Sequence, residues 1–254
     1  MASPDPYSNL NRNLKLRAPE TGRWYLESTQ YLSWKTAAAA ASTFTWLYAG
    51  PGAGKTVLST SIIEDLQIFC EGDPAKALAF FFFDFQDSEK QNPKNMLKSL
   101  LGQILGKCLR IPKEILSIYA SCGDGQRQAS ETQLLDMLKH AVGSLPEVFV
   151  VVDALDECGC WESLLDILSD IHGWGAKNLR MLVTSRDEVM IREALVELVS
   201  TGSRVCLQSR VVDRDIKTYV HGRLTTDKAF KRWRNDKAIQ EEIEDTLGKK
   251  AGGM

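Results

Sequence analysis

The stretch Ala49-Gly50-Pro51-Gly52-Ala53-Gly54-Lys55-Thr56 constrains this chain more than any other part of it. It follows an aromatic and β-branched run, Phe44 to Tyr48, that reads as a buried strand. After it, Leu58, Ile62, Leu66, Phe69 and Cys70 recur at helical spacing. A strand, a glycine-rich loop and a helix in that order aim backbone N–H groups, at the positive end of a helix dipole, into one small volume. Such a volume suits a phosphate. The pattern G-x-x-x-x-G-K-[ST] is met at Gly54-Lys55-Thr56, with Ala49 in place of its opening glycine. Gly50, Pro51, Gly52, Ala53, Gly54, Lys55, Thr56 and Val57 are therefore the expected polyphosphate-binding residues. Lys55 would reach the β- and γ-phosphates, and the Thr56 hydroxyl would ligate Mg²⁺.

A second apolar run, Val148 to Val152, ends at Asp153. A carboxylate at the tip of a buried strand is costly unless a cation or hydrogen bonds compensate it. Beside a phosphate loop that cation is Mg²⁺, so Asp153 is the expected metal-side residue. Asp156 and Glu157 follow, where one of them could polarise a water attacking the γ-phosphate. The strand Leu179 to Val183 ends in Thr184-Ser185-Arg186. If it lies between the loop strand and the Asp153 strand, Arg186 points at the γ-phosphate and distinguishes ATP from ADP. The catalytic candidates are Asp156, Glu157 and Arg186.

Strands alternate with helices over most of the chain, so an α/β fold with a mainly parallel sheet and helices on both faces is expected. The Ala77 to Phe83 run is too short for a membrane and suits a strand buried on both faces. Helical stripes run from Met96 to Leu109, from Leu134 to Val142 behind a Ser130-x-x-Gln133 capping box, from Trp161 to Ile171, and from Ile191 to Leu198. Before this core, the first residues, rich in Asn and Pro, read as a linker followed by a short helix at Tyr31, Leu32 and Trp34. The Ala37–Ala41 run reads as a variable loop or frayed helix. After it, strands stop. Asp213 should cap a helix with Ile216, Tyr219, Val220 and Leu224, and Asn235 a charged helix with Ile239, Ile243 and Leu247. The divisions expected are 1–36, 37–209 and 210–254.

Composition narrows the partners. Lys+Arg 31 against Asp+Glu 33 gives a net charge of −2, which argues against a broad basic surface for nucleic acid. The local cluster Lys231-Arg232-Trp233-Arg234 reads as a solvated helix end. Six scattered cysteines point to reduced thiols and a cytoplasmic location. Cys158-Gly159-Cys160 has no second pair at zinc-finger spacing. The uncharged stretch from Thr36 to Gly54 is broken by Thr, Ser, Pro and Gly, so no membrane span is expected.

Taken in order, Thr21-Gly22-Arg23-Trp24, Gly50 to Thr56, Asn92-Pro93, Val151-Asp153-Ala154-Leu155-Asp156-Glu157-Cys158, Leu182 to Arg186, and Asp215-Ile216 with Tyr219-Val220 resemble the NACHT branch of the signal-transducing P-loop NTPases. The likeness is to large fungal NOD-like receptors and their nephrocystin-like relatives. It implies a three-layer αβα P-loop fold with a five-stranded sheet, then the truncated start of a helical lid at 210–254. It also implies a switch that binds ATP or GTP with Mg²⁺, closed with ADP and self-associating with ATP, beside effector and ankyrin or WD repeat domains. No N-K-x-D-type guanine-reading motif is present, which leans towards ATP. A steadily turning-over motor or assembly NTPase, and an inactive scaffold, remain the alternatives.

Overall fold

The sheet has five strands: β1 (Phe44–Tyr48), β2 (Lys76–Phe82), β3 (Glu147–Asp153), β4 (Leu179–Ser185) and β5 (Arg204–Cys206), in the order β2-β3-β4-β1-β5. Each pairing is parallel. The computed structural model describes residues 4–18, 21–36, 44–123, 125–207, 219–225, 230 and 236–251. Helices α1 (Tyr7–Leu16), α2 (Arg23–Leu26), α3 (Thr29–Thr36) and α4 (Lys55–Cys70) precede β2. Between β2 and β3 come α5 (Pro93–Leu105), α6 (Lys113–Ser121) and α7 (Glu131–Gly143). Helix α8 (Trp161–Gly173) precedes β4, and α9 (Val189–Leu198) precedes β5.

Strand alternation sorts the apolar runs between two cores, one on each face of the sheet. Phe81 and Phe83 of the phenylalanine run join Val148, Val150 and Val152 in the core packed by α5, α7 and α8. Phe80 and Phe82 join Phe149 and Val151 in the other, against α4 and the N-terminal helices. Continuous apolar sequence is what a strand covered on both sides requires, so the five-stranded αβα expectation is met.

Helix starts follow local chemistry. Ser130 and Gln133 form the expected capping box: the Gln133 N–H donates to Ser130 Oγ at 3.1 Å, and the Ser130 N–H to Gln133 Oε1 at 2.9 Å. Asn92 caps α5, accepting from the Lys94 N–H, with Pro93 in the first turn.

The N-terminal region departs from the linker reading. Residues 7–16 are helical, because Tyr7, Leu10 and Leu14 make a narrow apolar stripe against the sheet and α4. Helix α6, with Ile115 buried and Ile118 partly buried, is likewise absent from the sequence reading. Towards the C-terminus, 219–225 are helical with Val220 and Leu224 buried, and the charged helix runs Lys237–Ala251. The Ala37–Ala41 run, Asp213, Asp215, Ile216, Lys231–Arg234 and Asn235 lie outside the described residues. Among the described residues no helix is long and apolar enough to cross a membrane.

Candidate functional site

The loop after β1 and the ends of β3 and β4 meet along one edge of the sheet, where β4 lies between β1 and β3. Ligands of open parallel sheets bind outside the carboxyl ends of the strands. Gly54, at φ +80°, turns the chain into α4 in a conformation that L side chains rarely adopt. Lys55 and Thr56 then open the helix, where its N–H groups are unpaired within it. The Lys55 ammonium donates to the carbonyls of Ala49 (3.1 Å) and Gly50 (2.9 Å), which holds it over the loop. Burial pulls its pKa below the ordinary lysine value, while Asp156 and Asp153 pull it back.

Asp153 is buried, at 1% exposure, and its carboxylate is surrounded by hydroxyls. Thr56 Oγ1 donates to Oδ2 at 2.8 Å; Ser59 Oγ (2.5 Å) and Thr184 Oγ1 (2.6 Å) donate to Oδ1. Burial raises its pKa, and these three hydrogen bonds oppose the rise. Ala154 follows at φ +57°, the one non-glycine residue with positive φ among those described, and its N–H donates to Thr184 Oγ1 at 3.0 Å. That turn swings the chain sharply after Asp153, bringing Asp156 and Glu157 back to the loop.

Asp156 receives Arg186 twice: Nε at 2.9 Å on Oδ2 and the backbone N–H at 2.9 Å on Oδ1. Glu157 accepts the Phe85 N–H at 3.0 Å, and burial raises its pKa with help from Asp156, Asp84 and Asp153. The expected candidates are thus brought together. Pro51 to Val57, Asp156, Glu157 and Arg186 line one cavity of about 290 Å³. Gly50 flanks it and Asp153 lies behind it, lining an adjoining cavity of about 290 Å³ that shares Thr56, Ala154 and Glu157.

A third cavity, about 330 Å³, opens on the other side of the loop and shares Gly52, Ala53, Gly54 and Val57. Trp24, Leu58, Leu207 and Tyr219 give it an apolar lining. Gly22 brings the Thr21–Trp24 turn against α4; a Cβ there would meet Leu58 Cδ1 and Ser61 Oγ at 3.1 Å, and its φ is +83°. The Thr21–Trp24 turn was singled out only for the resemblance and not as a cavity wall. Leu16, Arg17 and Ala18, the hydroxyls of Ser59 and Thr184 as partners of Asp153, and the residues of α1 at the metal side were not singled out from sequence. Ser59 follows Thr56 by one helical turn, which was the available signal.

A family model described as Nephrocystin 3, N-terminal matches residues 20–186, from the Thr21 turn through the glycine loop and Asp153 to Arg186. The chain belongs to the nephrocystin 3 N-terminal family. The resemblance to nephrocystin-like P-loop NTPases is therefore correct. Beyond this family model, the vegetative incompatibility protein HET-E-1 of Podospora anserina is 22% identical over 238 residues, 91% of this chain and 17% of that protein. The chain thus spans about a sixth of that relative's length. Among solved structures, Cdc6p from Pyrobaculum aerophilum is similar with a TM-score of 0.44 at 16% identity, over 87% of this chain and 50% of that one. The Aeropyrum pernix ORC1 protein, solved in complex with DNA, has a TM-score of 0.46 at 12% identity over 99% and 62%.

The acidic residues also fit Mg²⁺. Among the described residues no group of three or more His, Cys, Asp or Glu could by itself hold a metal. Mg²⁺ does not need one, since it usually takes one or two protein oxygens and completes its shell with phosphate and water. Thr56 Oγ1 and Asp153 Oδ2, 2.8 Å apart, have nearly the spacing of neighbouring ligands on an octahedron with ~2.1 Å bonds.

Proposed function

We propose that this chain is an ATP-dependent switch that binds ATP with Mg²⁺, hydrolyses it slowly and changes its self-association with nucleotide state. The observation that carries the reading is the row of three adjoining cavities with the glycine loop at its centre. The first is apolar, the central one sets Lys55 and Arg186 beside the loop with Asp156 and Glu157 facing them, and the third is mainly acidic, an order that suits base, phosphates and metal. The base would lie against Trp24 and Leu58. The phosphates would take the N–H groups of Gly52 to Thr56 and draw Lys55 away from its own loop carbonyls. Thr56 and Asp153 would hold Mg²⁺, which when bound neutralises charge on the β- and γ-phosphates.

For hydrolysis, a water oxygen bonds to the γ-phosphorus as the bond to the bridging oxygen breaks, giving ADP and inorganic phosphate. Glu157 is suited to take the water's proton, because its raised pKa makes it a better base than an ordinary carboxylate. Asp156 instead spends both oxygens on Arg186, which positions the arginine. Arg186 held in this way supports slow turnover, and the lack of a guanine-reading motif supports ATP over GTP. Lys55→Ala should weaken ATP binding about a hundredfold or more, measured with a fluorescent ATP analogue. An unchanged affinity would overturn the site assignment.

A further inference from the structure

The metal-side cavity has a wall that the nucleotide loop does not supply. Asn9, Arg12 and Asn13 of α1 line it opposite Thr56, Asp153 and Glu157. Helix α1 is held there by Asp84, two residues past the end of β2, whose Phe82 is in register with Asp153. Asp84 accepts Asn9 Nδ2 at 2.8 Å and Arg12 Nη2 at 3.0 Å on Oδ2, and the Gln86 N–H at 3.0 Å on Oδ1. Arg12 is the one cation lining this cavity among the described residues, where Asp84, Asp153 and Glu157 are all acidic. Asn13 lines it as well, and its Nδ2 is buried with no hydrogen-bond partner.

Two arginines therefore face the region where a γ-phosphate would sit, and they are held differently. Arg186 is tied to Asp156 through both its side chain and its backbone. Arg12 is joined to Asp84 through a single nitrogen, and its side chain is 54% exposed. With its guanidinium half in solvent Arg12 is free to exchange partners, although Asp84 itself is buried. Asp84 can also afford the exchange. Burial pushes its carboxyl up, but Gln86 and Asn9 as well as Arg12 hold it below the ordinary value, so two donors remain when the arginine leaves.

We propose that Arg12 is the arginine of the hydrolysis step, supplied in cis by α1: it leaves Asp84 for an oxygen of the γ-phosphate, and the Asn13 amide donates into the same volume. The guanidinium there neutralises charge that grows on the transferring phosphoryl group, which the acidic wall alone would repel. Because Arg12 and Asn9 share Asp84, the exchange removes one of α1's two contacts with that carboxylate while Asn9 keeps the other, so the helix registers the presence of a third phosphate. This rests on the nucleotide-site reading above.

The test uses the full chain with Arg12→Ala and Arg12→Lys. Four quantities are read: affinity for ADP, affinity for ADP with aluminium fluoride and Mg²⁺, single-turnover phosphate release from ATP, and melting temperature. Arg12→Ala should leave ADP affinity within about twofold, yet weaken the aluminium fluoride complex and slow phosphate release by about tenfold or more. Arg12→Lys keeps the charge opposite Asp84 and should keep the melting temperature, while losing the planar fork and with it most of the rate. A ratio of the two affinities that matches wild type in Arg12→Ala overturns the proposal. So does a parallel fall of ADP affinity, melting temperature and rate, which would make Arg12 an anchor only. Wild-type protein that binds no nucleotide sinks the underlying reading as well, and shows it before any variant is made.

Discussion

At the scale of single residues, the site is built against the grain of stability. Asp153 and Glu157 both have pKa values raised by burial, so the folded chain holds their protons more tightly than the unfolded chain does. Their protonated forms favour folding, and that advantage is lost as pH rises through the raised values. The same shift serves a base. With Glu157 as proton acceptor, phosphate release should rise with pH through a midpoint above the ordinary glutamate range. Glu157→Gln should lower the rate about a hundredfold and abolish that acid limb, measured as phosphate release against pH. A limb that persists in the variant belongs to another group. Asp153 was legible in the sequence because an acid ending an apolar run must be compensated. The compensation itself, by Ser59 and Thr184, was not, because short hydroxyls carry no pattern that separates a site from a helix surface. The pairing of Arg186 with Asp156 depends on β4 lying next to β3, which strand order supplies and local sequence does not.

At the scale of elements, the core helices were legible and α1 was not, for one physical reason. Helices α4, α5, α7 and α8 each bury a wide apolar stripe, whereas α1 buries little more than Leu10, with Tyr7 and Leu14 beside it. The rest of its inward face is polar and finds partners far away in sequence. Asn9 and Arg12 reach Asp84, and Arg17, just past the helix, reaches Ser61 and Glu64. Its propensity is ordinary, with asparagines at residues 9, 11 and 13, so tertiary packing holds it as a helix. Leu10 is 2% exposed, and Leu10→Ala should cost about 3 kcal/mol of stability in a denaturant titration. A cost under about 0.5 kcal/mol, the range of surface substitutions, would mean that α1 is not docked as described. The linker reading failed because its evidence was composition, while the helix depends on contacts that composition does not encode.

At the scale of the molecule, the proposed nucleotide site draws on segments that precede β1 and that follow β5. Leu16, Arg17, Ala18, Thr21, Gly22 and Trp24, the loop after β1, Leu207 beyond β5 and Tyr219 all line the apolar cavity, while α1 closes the metal side. Such a site exists only when the sheet, the N-terminal helices and the segment after β5 are assembled together. A nucleotide that binds this assembly and not the unfolded chain must stabilise all of it by mass action. At a hundred times its dissociation constant, ATP with Mg²⁺ should add about 2.7 kcal/mol. For a chain of this size that raises the melting temperature by roughly 5–10 °C. One cooperative transition should move as a whole, because the ligand touches parts on either side of the sheet's long crossover from β1 to β2. Lys55→Ala should show almost none of this shift at the same concentration. If only part of the unfolding curve moves with ligand, the N-terminal helices and the strand core are separate units, and α1 cannot transmit the state of the γ-phosphate.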